Sequence, residues 1–388
     1  MENIEEKSCL CALNRIFGFE PKIALELISH LGSARAIFEL SPKELEDYTG
    51  PFFKYKDRIC IQAVEAEMVE LEKLAEQGIS FCGWNEDGYP ELLKECEDPP
   101  IGLYVKSTTP LSELWRPSQS LAIVGTRDIS PYGTEWCCRI VKALAQTGAR
   151  PTIISGLALG TDIIAHRTAI ENSLPTIGVM ATGPETIYPH RHRDFALKLA
   201  QTPGCALVTD YPPGTAPVAI NFLRRNRIIA GLSSSTIIIE SKIKGGGMMT
   251  CRLAFSYNRD VYALPGRVDD LRSQGCNELI RRKIAEPITS EKELIDSLGF
   301  IAKSKNVSPG LEKRIFCTYS GLMEPCRIKI MESIIKTIKS YRGVTLEELP
   351  LHISADTKTI AELTGMLEID GFINIDLMQR CSINYKNV

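Results

Sequence analysis

Four segments in the middle of this 388-residue chain place small and basic residues together in the way an anion site requires. They are Gly125-Thr126-Arg127, Ser155-Gly156-Leu157-Ala158-Leu159-Gly160-Thr161-Asp162, Asp210-Tyr211-Pro212-Pro213-Gly214 and Lys242-Ile243-Lys244-Gly245-Gly246-Gly247-Met248-Met249-Thr250. Glycine has no Cβ, so backbone N–H groups can approach an anion, and a helix that begins just after it adds partial positive charge. One such loop could be only a tight turn. Several of them, with Arg127, Lys242 and Lys244 alongside, point to a ligand that carries phosphate.

The densest cationic stretch is Asn221-Phe222-Leu223-Arg224-Arg225-Asn226-Arg227. On a helix Arg224 and Arg227 share a face, while Arg225 points elsewhere and could be a structural partner of a carboxylate. Phe222 is read as standing just before this helix, where Pro212, Pro213 and Pro217 keep the chain extended. An aromatic ring beside guanidinium groups suits single-stranded nucleic acid, whose bases stack on rings while its phosphates meet arginine. The alternative for Phe222 is a ring packed in the core. His190 and His192 flank Arg191 in a basic turn that could meet phosphate.

Catalytic chemistry finds less support. His166, in Ala165-His166-Arg167, has no serine, cysteine or second histidine at a useful spacing, and no paired carboxylates or Ser/His/Asp set can be argued. Gly-x-Gly-x-x-Gly and Gly-x-x-x-x-Gly-Lys-[Ser/Thr] are absent, which disfavours a nicotinamide dehydrogenase and a P-loop ATPase. The 13 cysteines are scattered without a Cys-x-x-Cys pair, so they read as reduced thiols, and no metal or cofactor is assigned.

The elements that must position these residues are legible as alternating apolar runs and amphipathic segments. Strands are expected at Leu121–Gly125, Pro151–Ser155, Thr176–Met180, Ala206–Thr209, Thr236–Glu240 and Val261–Leu264. Helices are expected at Tyr132–Thr147, Asp162–Asn172 and Asn221–Ala230. This pattern predicts a buried, mostly parallel sheet whose ligand lies beyond the carboxyl ends of the strands. The first 75 residues read as helical, with Ser41-Pro42-Lys43-Glu44 as a capping signal and an order that resembles a helix-hairpin-helix array. Residues 76–120 are transitional. Residues 301–325 read as a linker, and 326–388 as three helices (Arg327–Ser340, Thr345–Leu349, Thr357–Asp370) and a hairpin, Gly371–Ile375 with Cys381–Tyr385, in the manner of a winged helix. The domains are thus expected at 1–75, 76–300 and 326–388.

Charge is uneven along the chain. Residues 1–120 hold 12 Lys/Arg and 22 Asp/Glu, a net of −10, whereas residues 121–300 hold 21 and 16, a net of +5, with 15 Arg to 6 Lys. Arginine forks phosphate, so the middle segment is the place for a polyanion. Residues 301–388 hold 12 and 10, and the acidic Glu362, Glu368 and Asp370 on their third helix do not favour DNA recognition there. No run of 18 apolar residues exists and the N-terminus is acidic, so neither a membrane span nor export is expected and a cytoplasmic protein is.

These blocks together carry a resemblance. Ile123–Arg127, Ser155–Asp162 with Ala165-His166-Arg167, Tyr188-Pro189, Phe222 with Arg225–Ser233, Gly245–Gly247, Leu264-Pro265-Gly266 and Gly275–Ile280 resemble the DNA-processing protein A (DprA, or Smf) family in order and spacing. Thr161, Leu223 and Gly245–Met249 depart from the family's usual residues without removing a cation. The resemblance implies an α/β fold: an extended Rossmann-like, mostly parallel sheet with helices on both faces, between a small helical N-terminal domain and a C-terminal winged helix. It implies a non-enzymatic homodimer that binds and protects single-stranded DNA in natural transformation and loads the RecA recombinase on it. The DNA-contacting residues would be Gly125, Thr126, Arg127, Ser155, Gly156, Gly160, His166, Arg167, Phe222, Arg224, Arg225, Asn226, Arg227, Lys242, Lys244, Gly245 and Gly246. The rival reading is a Rossmann-like nucleotide phosphoribohydrolase working through Glu240 and Arg127, though Gly245–Gly247 lacks the preceding proline and the closely following glutamate of such enzymes.

Overall fold

The apolar runs of the middle segment pair as parallel strands in a nine-stranded sheet. The strands are β1 (Ile79–Gly83), β2 (Gly102–Lys106), β3 (Ser120–Val124), β4 (Thr152–Ser155), β5 (Thr176–Val179), β6 (Ala206–Thr209), β7 (Ser235–Ile238), β8 (Asp260–Ala263) and β9 (Glu286–Pro287). Their order is β1-β2-β6-β5-β4-β3-β7-β8-β9. Strands β3 to β9 pair in parallel, whereas β1–β2 and β2–β6 are antiparallel. The computed structural model describes residues 5–115, 119–300, 315–316, 318–341, 344–376 and 379–383. The chain divides into two compact units, 1–302 and 303–388. Each of the six predicted strands is present to within two residues.

The sheet carries helices on both faces because its strands alternate two apolar faces. Helices α1 (Glu6–Phe17), α2 (Pro21–Leu31), α3 (Ala34–Glu39), α4 (Pro42–Thr49) and α5 (Ile61–Glu76) precede it. Short helices α6 (Glu91–Lys94) and α7 (Leu111–Leu114) follow, then α8 (Pro131–Gln146), α9 (Thr161–Glu171), α10 (Arg193–Gln201), α11 (Ala219–Gly231), α12 (Gly246–Ser256), α13 (Gln274–Arg281) and α14 (Glu291–Ser297). Leu121, Ile123, Ile153 and Ile237 pack with α8, α9 and α14 on one face. Ala122, Val124, Ile154 and Ile238 pack with α11 and α12 on the other. Each Leu or Ile so buried contributes about 1.5–3 kcal/mol.

Two features of the connectivity matter for function. From β3 the chain moves outward through β4, β5 and β6, then returns to place β7 on the other side of β3. The segments leaving β3 and β7 therefore run to opposite faces, into α8 and α12, and open a crevice between them. The N-terminal helices share a core with the β1–β2 pair, through Leu10, Leu13, Phe17, Phe81 and Tyr104. Their first turns use the expected signals: Ser41 and Glu44 form a reciprocal capping box, and α2 stops at Gly32 with φ of 86°.

The second unit contains α15 (Pro325–Ser340), α16 (Leu349–His352), α17 (Thr357–Ile369) and an antiparallel pair, β10 (Ile373–Ile375) with β11 (Cys381–Ile383), around Met331, Ile335, Leu363 and Leu367. The helix expected at Thr345–Leu349 begins only at Leu349, because Thr345 forms a β-bridge with Arg380. Residues 301–314 and 317 of the expected linker and residues 384–385 of the expected hairpin lie outside the described residues. Among the described residues no helix is long and apolar enough to cross a membrane.

Candidate nucleic-acid interface

The glycine-bearing loops after β3, β4 and β7 meet at one open cleft of about 410 Å³ at the crevice. Gly125, Thr126 and Arg127 form one side, Ala158 and Asp162 the floor, Phe222, Arg225 and Asn226 of α11 the back, and Lys242, Lys244 and Gly245–Gly247 the far lip. Close packing forces glycine at several of these positions. A Cβ on Gly125 would stand 2.4 Å from the Thr161 hydroxyl, and one on Gly160 2.3 Å from the Thr126 carbonyl. Gly160 also has φ of 73°, which favours glycine.

The two long loops use their backbones differently. After β4, Ser155 donates its hydroxyl to the Ile123 carbonyl at 2.6 Å, and the amides of Gly156 and Ala158 donate to the Asp162 carboxylate at 3.2 and 3.3 Å. Burial raises the pKa of Asp162 above the usual carboxylate value, and Arg225 opposes the shift. This loop already encloses an anion of its own. After β7 the loop turns at Gly245 into α12, and a Cβ on Gly246 would meet nothing within 4 Å. Gly245–Gly247 line the cleft, so the N-terminus of α12 borders it, while the carboxylates that line it, Asp128 and Asp162, come from the β3 and β4 sides.

The cations divide in the same way. Arg127, Lys242 and Lys244 are exposed on the cleft, and none has a carboxylate partner among the described residues. Arg225, by contrast, is 4% exposed and donates to the carbonyls of Gly156, at 2.7 Å, and Val179. Burial lowers its pKa to about 10, so it remains charged at neutral pH. A Cβ on Gly156 would lie 2.5 Å from its guanidinium. Arg227 is 5% exposed and pairs with Asp210 at 2.6 Å and with Asp98 at 3.8 Å. Arg224 donates to the Gly18 carbonyl at 2.7 Å and stands 3.9 Å over the Phe19 ring. Arg224 and Arg227 do not line the cleft and are engaged by the protein, unlike Arg225, which lines it.

Two further expectations are revised. His166 is fully buried and hydrogen-bonded to the Thr176 hydroxyl at 2.7 Å, so it cannot reach a ligand; burial lowers its pKa to about 3. Arg167 is exposed, but it stands over Phe195 rather than lining the cleft. Of the basic turn, His192 is buried and donates Nδ1 to the Leu157 carbonyl, while Arg191 is exposed.

Phe222 belongs to the first turn of α11 rather than to a loop before it. Its half-buried ring lines the cleft, with the Arg127 guanidinium 5.6 Å from its centroid and the exposed Tyr188 ring 5.3 Å away at 60°. Tyr188 was not among the predicted contacts; its only sequence signal was the Tyr188-Pro189 dipeptide. Glu240, the acid needed by the rival reading, is 1% exposed, and its two oxygens accept the Ser130 amide, at 2.9 Å, and the Ser130 hydroxyl at the start of α8.

These features define a doubly wound α/β protein with an open cleft at its switch point, lined by Arg127, Lys242 and Lys244 and by the Phe222 ring. Residues 80–299 match the family described as DNA recombination-mediator protein A, and the chain belongs to that family. Protein Smf of Synechocystis is 33% identical over 302 residues, which cover 78% of this chain and 74% of that relative. The X-ray structure of DNA processing protein A from Streptococcus pneumoniae superposes with a TM-score of 0.60 and 26% identity, covering 76% of this chain and 98% of that one. A Helicobacter pylori structure, described as revealing a unique single-stranded DNA binding mode of DNA processing protein A, gives a TM-score of 0.50 and 30% identity over 57% of this chain and 95% of its own.

Proposed function

We propose that the chain is a non-enzymatic recombination mediator that binds single-stranded DNA in the cleft between the β3 and β7 loops. The observation that carries this reading is the set of three exposed cations without a carboxylate partner among the described residues, Arg127, Lys242 and Lys244, gathered with the α12 N-terminus and the Phe222 ring on one open surface. Phosphates would meet the cations and the α12 amides, and a base would stack on Phe222. Gly125, Thr126, Asn226, Gly245 and Gly246 would let the strand approach the backbone, while Ser155, Gly156, Gly160 and Arg225 would shape the floor.

In this reading the protein acts in the cytoplasm as a homodimer through the sheet-bearing unit, protects DNA entering the cell, and passes it to RecA. The second unit, whose described residues include three helices and a two-stranded ladder, is read as winged-helix-like. The domain division at 1–75, 76–300 and 326–388 belongs to the same proposal. The rival phosphoribohydrolase reading loses support because Glu240 is occupied by Ser130.

The test is fluorescence anisotropy with single- and double-stranded oligonucleotides of mixed sequence over a range of salt. Single strands should bind more tightly, with little sequence preference. Roughly three phosphate contacts should give a slope of about −2 in log K against log salt. Salt-independent affinity, or release of free base from nucleoside monophosphates at enzymatic rates, would reverse the conclusion.

A further inference from the structure

Phe222 and Arg224 are two residues apart on α11, so their side chains leave the helix roughly 200° apart. Fixing one sets the direction of the other. Phe222 points into the cleft, and Arg224 points away from it to the corner between α1 and α2. There Arg224 donates to the Gly18 carbonyl at 2.7 Å and lies 3.9 Å over the Phe19 ring. Phe19 also meets Tyr211 edge-on at 6.5 Å, and the Tyr211 hydroxyl donates to the Asn221 carbonyl at 3.2 Å, in the first turn of α11. Asn14 of α1 donates to the Asp210 carbonyl at 2.8 Å, which ties down the segment leading into that helix.

We infer that Arg224 and Phe19 are positioning residues: they fix the rotation of α11 and thereby present the Phe222 ring to the DNA, without touching DNA themselves. The inference rests on the cleft being the single-strand site. It gives the acidic first part of the chain, with its net charge of −10, a role in binding that its own electrostatics would oppose. The competing role for Arg224 is a direct phosphate contact through Nη1, which is buried without a protein acceptor among the described residues.

The experiment measures anisotropy across a salt series together with quenching of an oligonucleotide containing 2-aminopurine, whose fluorescence falls when the base stacks. Arg224→Gln and Phe19→Ala are compared with the parent, and Phe19→Tyr is the conservative rescue. Each loss variant should weaken binding by about threefold to tenfold, reduce the quenching and leave the salt slope unchanged. Phe19→Tyr should restore both readouts. Phe19 is 59% exposed, so Phe19→Ala serves if Arg224→Gln does not fold. A slope smaller by about 0.7 in Arg224→Gln would mean a lost phosphate contact and overturn the inference. Parental affinity and quenching in both loss variants would also overturn it. Arg127→Ala separates this failure from failure of the cleft itself: if Arg127→Ala binds as the parent does, the site is elsewhere; if it weakens while Arg224→Gln and Phe19→Ala do not, only the positioning role falls.

Discussion

The arginines of α11 and the cations on the lips of the cleft are of one residue class and lie within one region, yet the fold treats them oppositely. Arg225 and Arg227 are almost wholly buried and held by carbonyls and by Asp210, whereas Arg127, Lys242 and Lys244 stand exposed without a carboxylate among the described residues. The two long loops repeat the contrast: the one after β4 closes on Asp162, and the one after β7 remains open. Local density of positive charge therefore does not measure availability to a ligand. A cation serves binding only where the chain supplies no internal anion or carbonyl to hold it, because a buried, paired charge is already committed to stability.

If the buried set is structural, Arg227→Ala should cost about 3–5 kcal/mol of stability by leaving Asp210 unpaired. Denaturant unfolding measures this, and the folded fraction should bind DNA as the parent does; a stable variant with lost binding would erase the contrast. Phe222→Ala should show the reverse, about 1–3 kcal/mol lost in single-strand binding with little change in melting temperature. A large drop in melting temperature with unchanged affinity would return the ring to the core.

His166 extends the comparison to pH. Its folded pKa of about 3 lies below the ordinary value of 6.5, so the stability it supports is present above pH 6.5 and is lost as pH falls toward 3. By pH 5 the loss should be about 2 kcal/mol. The difference in unfolding free energy between pH 7.5 and 5 should shrink by that amount in His166→Asn, and equal pH dependence in both proteins would contradict the buried neutral ring. The smallest effect separates the two ends of the sheet. Arg127→Ala should weaken binding severalfold and reduce the salt slope by about 0.7, whereas Arg150→Ala should change neither. Arg150 precedes β4, at the opposite end from the cleft, and donates to the Ser173 carbonyl. Equal losses in both variants would indicate only a diffuse field.

The parallel strands were legible because each is a short, nearly continuous apolar run, and the cleft lies beyond the carboxyl ends of β3, β4 and β7. Strands β1 and β2 were not assigned because glycine and proline interrupt the segment around them, and β9 because it has only two residues. The start of α11 was misplaced by two residues because the preceding prolines weigh against helix, although Pro217 stands just outside it. The fates of Arg224 and Arg227 were not legible at all. Arg224 finds its acceptor, Gly18, 206 residues away, and Arg227 is held by Asp98, 129 residues away, as well as by the nearer Asp210; only the folded sheet brings these groups together. Asp162 was visible as a residue, but its capture of the Gly156 and Ala158 amides depends on a loop geometry that spacing alone does not specify.

The outermost parallel strand, β9, has only two residues, Glu286 and Pro287, paired with Tyr262 and Ala263. Proline has no amide hydrogen, and a charged residue beside it disfavours a dry strand-to-strand contact. An incoming extended segment would thus find almost no ladder to continue at this end of the sheet. The β9 edge is capped against runaway cross-strand polymerisation.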